Sequence, residues 1–89
     1  MQTKTQLSTQ EGAKIAKRLL NHWKHKFEVK HDDQVIQILM PNYSITLIAQ
    51  PDHLDVSIES PLEDLSHIQN VVIDHLSRMA HCEFSADWQ

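Results

Sequence analysis

The sequence has little of several residue types, and each shortage excludes a class of protein. Its 89 residues include one cysteine, Cys82, so no disulfide can form within the chain. One glycine, Gly12, is too few for a glycine-rich phosphate loop. No apolar run approaches the ~18 residues of a membrane helix, and the first residues lack the apolar core of a signal peptide. We therefore expect the protein to reside in the cytoplasm of a bacterium or in a similar reducing compartment.

The sequence also lacks the short motifs of common enzyme classes. No Walker, Rossmann, zinc-ribbon or serine-hydrolase pattern is present. A hydrophobic content of 40% over 89 residues suits one globular domain spanning positions 1–89. These features favour a single non-enzymatic domain, and they identify no cofactor.

Charge is divided unevenly along the chain. Seven of the eight Lys and Arg residues lie in the first thirty positions, where Glu11 and Glu28 are the opposing carboxylates. The rest of the chain carries Arg78 against ten carboxylates. Such a dipolar molecule can steer a charged partner or pair two subunits head to tail, or the charges can simply belong to solvated faces of a small protein. The carboxylates would repel a polyanion, so we expect no nucleic-acid partner.

Hydrophobic periodicity predicts two amphipathic helices, at residues 9–26 and from about residue 61 to Ala80. Each is preceded by a capping-box pattern, Ser8 with Glu11 and Ser60 with Glu63. The apolar stripes of the two helices are Ile15, Ala16, Leu19, Leu20 and Trp23, and Leu62, Leu65, Ile68, Val72, Leu76 and Met79.

Alternation of apolar and polar residues predicts the strands. The alternating runs are residues 3–7, 27–30, 35–40, 43–49, 54–58 and 84–88. Two amphipathic helices can cover one face of an antiparallel sheet. We therefore expect an α+β fold with an antiparallel sheet of four to five strands, two helices on one face, and the order β-α-β-β-β-α-β.

Seven histidines are many for a chain of this length. His22 and His25 are three residues apart near the predicted end of the first helix, a spacing that lets both imidazoles face one ligand. A metal usually takes three or four donors, and the following segment His31-Asp32-Asp33 offers more. Alternatively, these polar and cationic side chains simply offset the helix dipole at its negative end. The sequence thus predicts His22 and His25 as candidate metal ligands and leaves that alternative open.

Two further side chains have ordinary structural interpretations. His75 lies on the border of the second apolar stripe, where a half-buried histidine with one satisfied hydrogen bond is expected. Cys82 follows His81, but sequence neighbours rarely have the geometry of a nucleophilic pair, so we expect an incidental thiol.

Three segments together resemble a known family of small bacterial proteins. They are His22-Trp23-Lys24-His25-Lys26, the run from Val71 to Ala80 (VVIDHLSRMA), and the terminal Trp88-Gln89. In these segments and in element order the chain is similar to domain of unknown function 2218. That resemblance implies two helices packed on an antiparallel sheet, no known activity, and an association with siderophore and iron-uptake proteins.

The family pattern also implies a set of site residues, namely His22, His25, Lys26, His75, Arg78 and Trp88. The sequence departs from the pattern at two positions. Cys82 stands where a basic residue is expected, which weakens an anion site at the end of the second helix. Asn42 stands where a turn glycine is usual, which exchanges one turn-tolerant residue for another.

The leading hypothesis is a non-enzymatic accessory protein in iron or siderophore handling. His22, His25 and His75 would contact a metal or an anionic chelate, and Lys26 and Arg78 would supply positive charge. The alternative is a protein-interaction module or homodimer with no small-molecule ligand. A third hypothesis, an enzyme that uses histidine as acid or base, requires a pocket joining His75 to a carboxylate.

Overall fold

The computed structural model describes residues 1–32 and 34–89. In chain order the elements are β1 (Gln2–Ser8), α1 (Gly12–Trp23), β2 (Glu28–His31), β3 (Val35–Met40), β4 (Tyr43–Ala49), β5 (His53–Glu59) and α2 (Ser66–Ala80). The α+β class predicted from the sequence is confirmed. Neither described helix is long and apolar enough to cross a lipid bilayer.

The five strands form one antiparallel sheet in the order β1-β5-β4-β3-β2. Strands β2 to β5 follow one another as a meander because short turns such as Pro41-Asn42 join them. Strand β1, the first in sequence, returns to pair with β5 from Gln2 opposite Glu59 to Ser8 opposite His53. The two sheet edges are therefore β1 and the four-residue β2.

One face of the sheet packs against both helices. Because strand side chains alternate between the two faces, every second residue of β5 is buried while its neighbours stay half-exposed. The stripe of α1 and three residues of α2 close the core from the other side. The most deeply buried side chains are Leu7, Ile15, Leu19, Ile38, Ile45, Leu47, Leu54, Val56, Ile58, Val72 and Leu76.

Both predicted capping boxes are wrong. Ser8 ends β1, so α1 begins at Gly12, and the Thr9 hydroxyl accepts a hydrogen bond from the Glu11 amide at 3.1 Å instead. Ser60 likewise accepts from the Leu62 amide at 3.0 Å in the turn after β5. Helix α2 starts at Ser66, where the carboxylate of Asp64 accepts from its amide at 3.0 Å. The predicted end of this helix at Ala80 is correct.

The strand predicted at residues 84–88 is not formed. The observed order is β-α-β-β-β-β-α, because residues 28–31 form a strand of their own and the chain after α2 is extended without regular pairing. The Phe84 amide donates to the Ser77 hydroxyl at 3.1 Å, which holds the start of this segment against α2. At the other end, Gln89 and Lys4 exchange two backbone hydrogen bonds of 2.8 and 3.1 Å.

Candidate ligand site between the two helices

The structure brings two histidines from different helices together. His22 lies in the last turn of α1 and is exposed, and His75 lies in the second half of α2 and is half-buried. Their ring centroids are 5.3 Å apart, with ring planes inclined by 48°. We call these two side chains the imidazole pair.

A backbone hydrogen bond fixes the orientation of His75. Its Nδ1 lies 2.8 Å from the carbonyl oxygen of Val71, one turn earlier on α2. A carbonyl oxygen only accepts, so Nδ1 carries the proton, and in the neutral ring Nε2 is left with the lone pair. Histidines that bind metals usually donate their other ring N–H to such a partner. The Nε2 atom of His75 is therefore set up as an acceptor or ligand.

Aromatic side chains form the wall beneath the imidazole pair. Trp23 is 5% exposed, and its ring centroid lies 4.9 Å from that of His75. Phe27 packs edge-on against Trp23 with centroids 6.1 Å apart. Because Trp23 belongs to the buried stripe of α1, it ties the position of His75 to the core. The pair therefore sits on a packed base at the surface.

The spacing of the pair suits a shared metal ion. Two imidazoles bound to one tetrahedral ion at about 2.0–2.1 Å place their ring centres about 5 Å apart. The centroids of the His22 and His75 rings are 5.3 Å apart, close to that spacing. In residues 1–32 and 34–89, however, no group of three or more His, Cys, Asp or Glu side chains converges on one point. A metal bound by the pair would have to bring its remaining donors with it.

The other predicted metal residues are placed differently. Helix α1 ends at Trp23, so His25 lies in the exposed turn that follows rather than on the helix. The Asp32 carboxylate accepts from the amides of Gln34 and Val35 at 3.0 Å each, and these bonds lower the pKa of Asp32. Its oxygens thus stabilise the β2–β3 turn. Asp33 lies outside the described residues.

The two predicted cations differ in their surroundings. The Nζ atom of Lys26 lies 5.6 Å from the centroid of the Phe27 ring, next to the aromatic wall. Arg78 forms an ion pair with Asp74 at 3.1 Å, and both side chains are mostly exposed. The charge of Arg78 is therefore partly neutralised by a neighbour on its own helix. Trp88, the last residue carried over from the family pattern, is half-buried against the core.

Sequence reasoning missed the role of Arg18. Its guanidinium donates to the carbonyl oxygen of Met79 at 2.6 Å. Arg18 precedes His22 by one turn of α1, and Met79 follows His75 by one turn of α2. The contacts Arg18–Met79 and His22–His75 therefore lie along one interface, where the two helices run antiparallel. The usable signal was the four-residue spacing of Arg18 and His22, which puts them on one side of α1. The structure thereby fixes a positive charge one helical turn from the imidazole pair.

His53 occupies a very different environment at the start of β5. Its Nδ1 donates to Asp52 at 2.7 Å, and its Nε2 lies 3.3 Å from a carboxylate oxygen of Asp55. The hydrogen bond to Asp52, supported by the charge of Asp55, raises the pKa of His53 above its ordinary value of 6.5. Both ring nitrogens are engaged, so this histidine has no atom free for a ligand.

Comparison with known proteins identifies a protein of similar fold and the family of this chain. The solution structure of PA4090 from Pseudomonas aeruginosa superimposes with a TM-score of 0.83 at 40% identity, covering 99% of this chain and 94% of that one. The crossover junction endonuclease MUS81 of Gibberella zeae is 34% identical over 71 residues, which are 78% of this chain but 12% of that protein. Residues 4–89 match the family described as uncharacterised proteins conserved in bacteria, DUF2218, and the chain belongs to that family.

Proposed function

We propose that this protein is a small cytoplasmic accessory protein, without catalytic activity of its own, that binds an iron chelate between α1 and α2. The imidazole pair is the observation that carries the proposal. His22 and His75 are 5.3 Å apart, and the bond to Val71 leaves the Nε2 lone pair of His75 free in the neutral ring. Imidazole nitrogen is a suitable ligand for iron, zinc, copper and nickel.

The proposal names a chelate rather than a bare ion because the pair supplies two donors. A bound ion needs at least two more, and a partly wrapped chelate brings them as carboxylate or catecholate oxygens. A surface depression of about 770 Å³ borders His75, and it is lined by α2 and the chain after it rather than by His22. The pair therefore suits an ion that already carries donors of its own.

The charges around the pair favour an anionic complex. Arg18 is held at the interface of the two helices by its bond to Met79, and Lys26 lies beside Phe27. No carboxylate occurs between Gly12 and Phe27, so α1 and the turn after it carry positive charge only. Arg78 contributes less because Asp74 neutralises part of its charge. His25, exposed in the turn after α1, is proposed as a secondary contact.

Isothermal titration of the metal-stripped protein tests this proposal. Ferrous ion, ferric citrate and zinc ion are the titrants, and NMR follows the histidine ring signals. We expect saturable binding of ferric citrate, with the His22 and His75 signals shifting. The variants His22→Ala and His75→Ala should each lose at least about tenfold in affinity, the loss expected when one of two ligands is removed. His53→Ala, whose ring nitrogens are already engaged by Asp52 and Asp55, is the matched control. Unchanged titrations in both pair variants would refute the proposal.

A second candidate is a protein-interaction module, acting alone or as a homodimer, with no small-molecule ligand. The uneven charge supports it, because Lys14 and Lys17 are exposed on α1 and Lys24 is exposed just after it, while carboxylates dominate after residue 30. Contacts of this kind weaken as salt rises. Self-association that is strong at low ionic strength and lost in molar salt would support this candidate. A monomer under both conditions would remove its homodimer form.

The similarity to the endonuclease does not make nuclease activity a candidate function. The matched region is 12% of that protein, so its activity is not carried over to this chain. A net charge of −4 also opposes binding to a polyanion.

A further inference from the structure

The outer edge of β1 presents backbone groups that its neighbours leave open. Met1 exchanges backbone hydrogen bonds with Ser60, and the Thr9 amide donates to the Asp52 carbonyl. The backbone N–H and C=O groups of the odd-numbered residues of β1 therefore point towards β5. In an antiparallel strand the alternate residues then point their N–H and C=O groups away from that partner. Those of β1 are Gln2, Lys4, Gln6 and Ser8.

The chain after α2, residues 81–89, runs beside this edge and is called the tail. Lys4 pairs with Gln89, and continuing that antiparallel register would place Gln6 opposite Asp87 and Ser8 opposite Ser85. Within the described residues no backbone hydrogen bond joins either of these pairs. A groove of about 570 Å³ lies here; Gln6 of β1 and Ser85 and Asp87 of the tail line it, and it extends over β5 and β4 to Ser57 and Ile48.

The tail nevertheless has the side-chain pattern of a strand that belongs at this edge. Phe84, Ala86 and Trp88 are half-buried and pack against the core, whereas Ser85 and Asp87 are exposed. That period-two alternation matches the two faces of the sheet. The tail is kept from full pairing at its start, where the Phe84 amide is bonded to Ser77 of its own α2.

We propose that β1 takes the tail of a second copy of this chain as an antiparallel sixth strand, in a reciprocal exchange of tails. Unpaired strand edges are complementary to another extended backbone, and the segment shown to fit this edge is the tail itself. A tail that swings out from its own α2 gives up the bond between Phe84 and Ser77, so on a partner it can take the full register at Gln6 and Ser8. His81, in the left-handed conformation with φ 58°, is the position where the tail would swing out.

The opposite edge of the sheet does not invite the same contact. Strand β2 has four residues, and Glu28, Lys30 and His31 are exposed. Short edges with charged side chains are those that proteins use to prevent strand addition. The exchange is therefore assigned to β1 alone. It does not depend on the imidazole pair or on any ligand there.

Sedimentation from micromolar to millimolar protein tests the exchange. We expect a concentration-dependent dimer that persists in molar salt, since strand pairing is not a surface ion pair. Gln6→Pro removes an outward N–H, and proline is tolerated where a strand N–H faces away from the sheet. It should weaken dimerisation by about tenfold, a typical cost of losing hydrogen bonds. His31→Pro, which removes an outward N–H of β2, should leave the dimer unchanged. A monomer at all concentrations, or an effect of His31→Pro in place of Gln6→Pro, would overturn the proposal.

Amide hydrogen exchange on the unaltered protein gives an independent test that needs no folded variant. In the monomer the amides of Gln6 and Ser8 should exchange fast while Lys4, bonded to Gln89, exchanges more slowly. At millimolar concentration Gln6 and Ser8 should become protected to the level of Lys4. Rates at these two amides that do not depend on protein concentration would contradict the exchange.

Discussion

His75 and His53 are both half-exposed histidines in this structure, and their hydrogen-bond partners give them opposite properties. His75 donates from Nδ1 to the uncharged carbonyl of Val71, which leaves its Nε2 without a protein partner in the bonds described. His53 lies between the carboxylates of Asp52 and Asp55, which engage both ring nitrogens and favour the imidazolium. One ring keeps a nitrogen for a ligand, and the other has both ring nitrogens engaged by carboxylates.

This contrast shows why a high histidine count has little meaning for function. The partner decides whether a ring nitrogen keeps its lone pair, because a carbonyl fixes one tautomer whereas paired carboxylates stabilise the doubly protonated ring. Neighbours across the fold then decide whether the free nitrogen is useful. The ring centroid of His75 lies 5.3 Å from that of His22, which belongs to another helix. The carboxylates beside His53 belong to its own turn and strand.

The largest expected effect comes from removing the base of the imidazole pair. Trp23→Ala deletes a side chain that is 5% exposed and packs against both Phe27 and His75. It should lower the free energy of unfolding by about 3–5 kcal/mol, as measured by urea denaturation. The matched control is Trp88→Ala, where a half-buried indole of the tail is removed and a smaller loss follows. Equal losses in the two variants would show that Trp23 has no special role in the core.

A milder substitution at the same position tests whether His75 and His53 have separate environments. In a still-folded Trp23→Phe protein, NMR should show the His75 ring signals displaced and those of His53 unchanged. Displacement of both would mean that the two environments are coupled through the sheet.

The next largest effect concerns ligand binding. His75→Ala should weaken binding of ferric citrate by about 100-fold, because it removes a side chain that contacts the metal directly. Removing only the hydrogen-bond partner of such a ligand typically lowers metal affinity by about 10–100-fold. His53→Ala should leave that affinity unchanged, since both nitrogens of His53 are already bonded to carboxylates. A loss in His53→Ala equal to that in His75→Ala would remove the distinction between the two rings.

Much of the fold follows from local patterns in the sequence, whereas the site does not. Alternation located all five strands of the sheet within a residue or two, since every strand but β2 has one buried face, and the last turn of α2 ends at Ala80 as predicted. The segment at residues 84–88 has the same alternation, but alternation cannot reveal that the Phe84 amide is bonded to Ser77. Whether a patterned segment actually pairs depends on where the preceding helix ends.

The imidazole pair lay beyond sequence reasoning for a similar reason. The spacing of His22 and His25 was visible, but the pairing of His22 with His75 depends on the register of two helices fifty residues apart in the chain. Local hydrogen bonds also redirected side chains, since the Asp32 carboxylate is occupied by the amides of its own turn. Roles set by contacts between distant elements require the structure.

Stability as a function of pH separates the histidines with a smaller effect. The folded-state pKa of His53 is raised, chiefly by its hydrogen bond to Asp52. Its contribution to stability is therefore fully present below the unfolded value of 6.5 and is lost as the pH rises through the raised folded value. The difference in free energy of unfolding between the unaltered protein and Asp52→Asn should therefore decline as the pH rises from 6.5 through the raised folded-state pKa of His53. NMR titration should show the pKa of His53 falling towards 6.5 in Asp52→Asn, and an unchanged pKa would contradict the assigned cause.

The smallest effect tests how far Arg78 serves an anionic ligand. Its ion pair with Asp74 spans 3.1 Å between side chains that are 72% and 62% exposed, so Asp74→Ala should cost only about 0.3–0.5 kcal/mol in urea denaturation. The same change frees the charge of Arg78, which should strengthen ferric citrate binding slightly if Arg78 lies within reach of the ligand. Arg78→Gln is the matched variant, because it removes the ion pair together with the charge. Equal affinities in the two variants would exclude Arg78 from the site and leave Arg18 and Lys26 as the cations that favour an anion beside the imidazole pair.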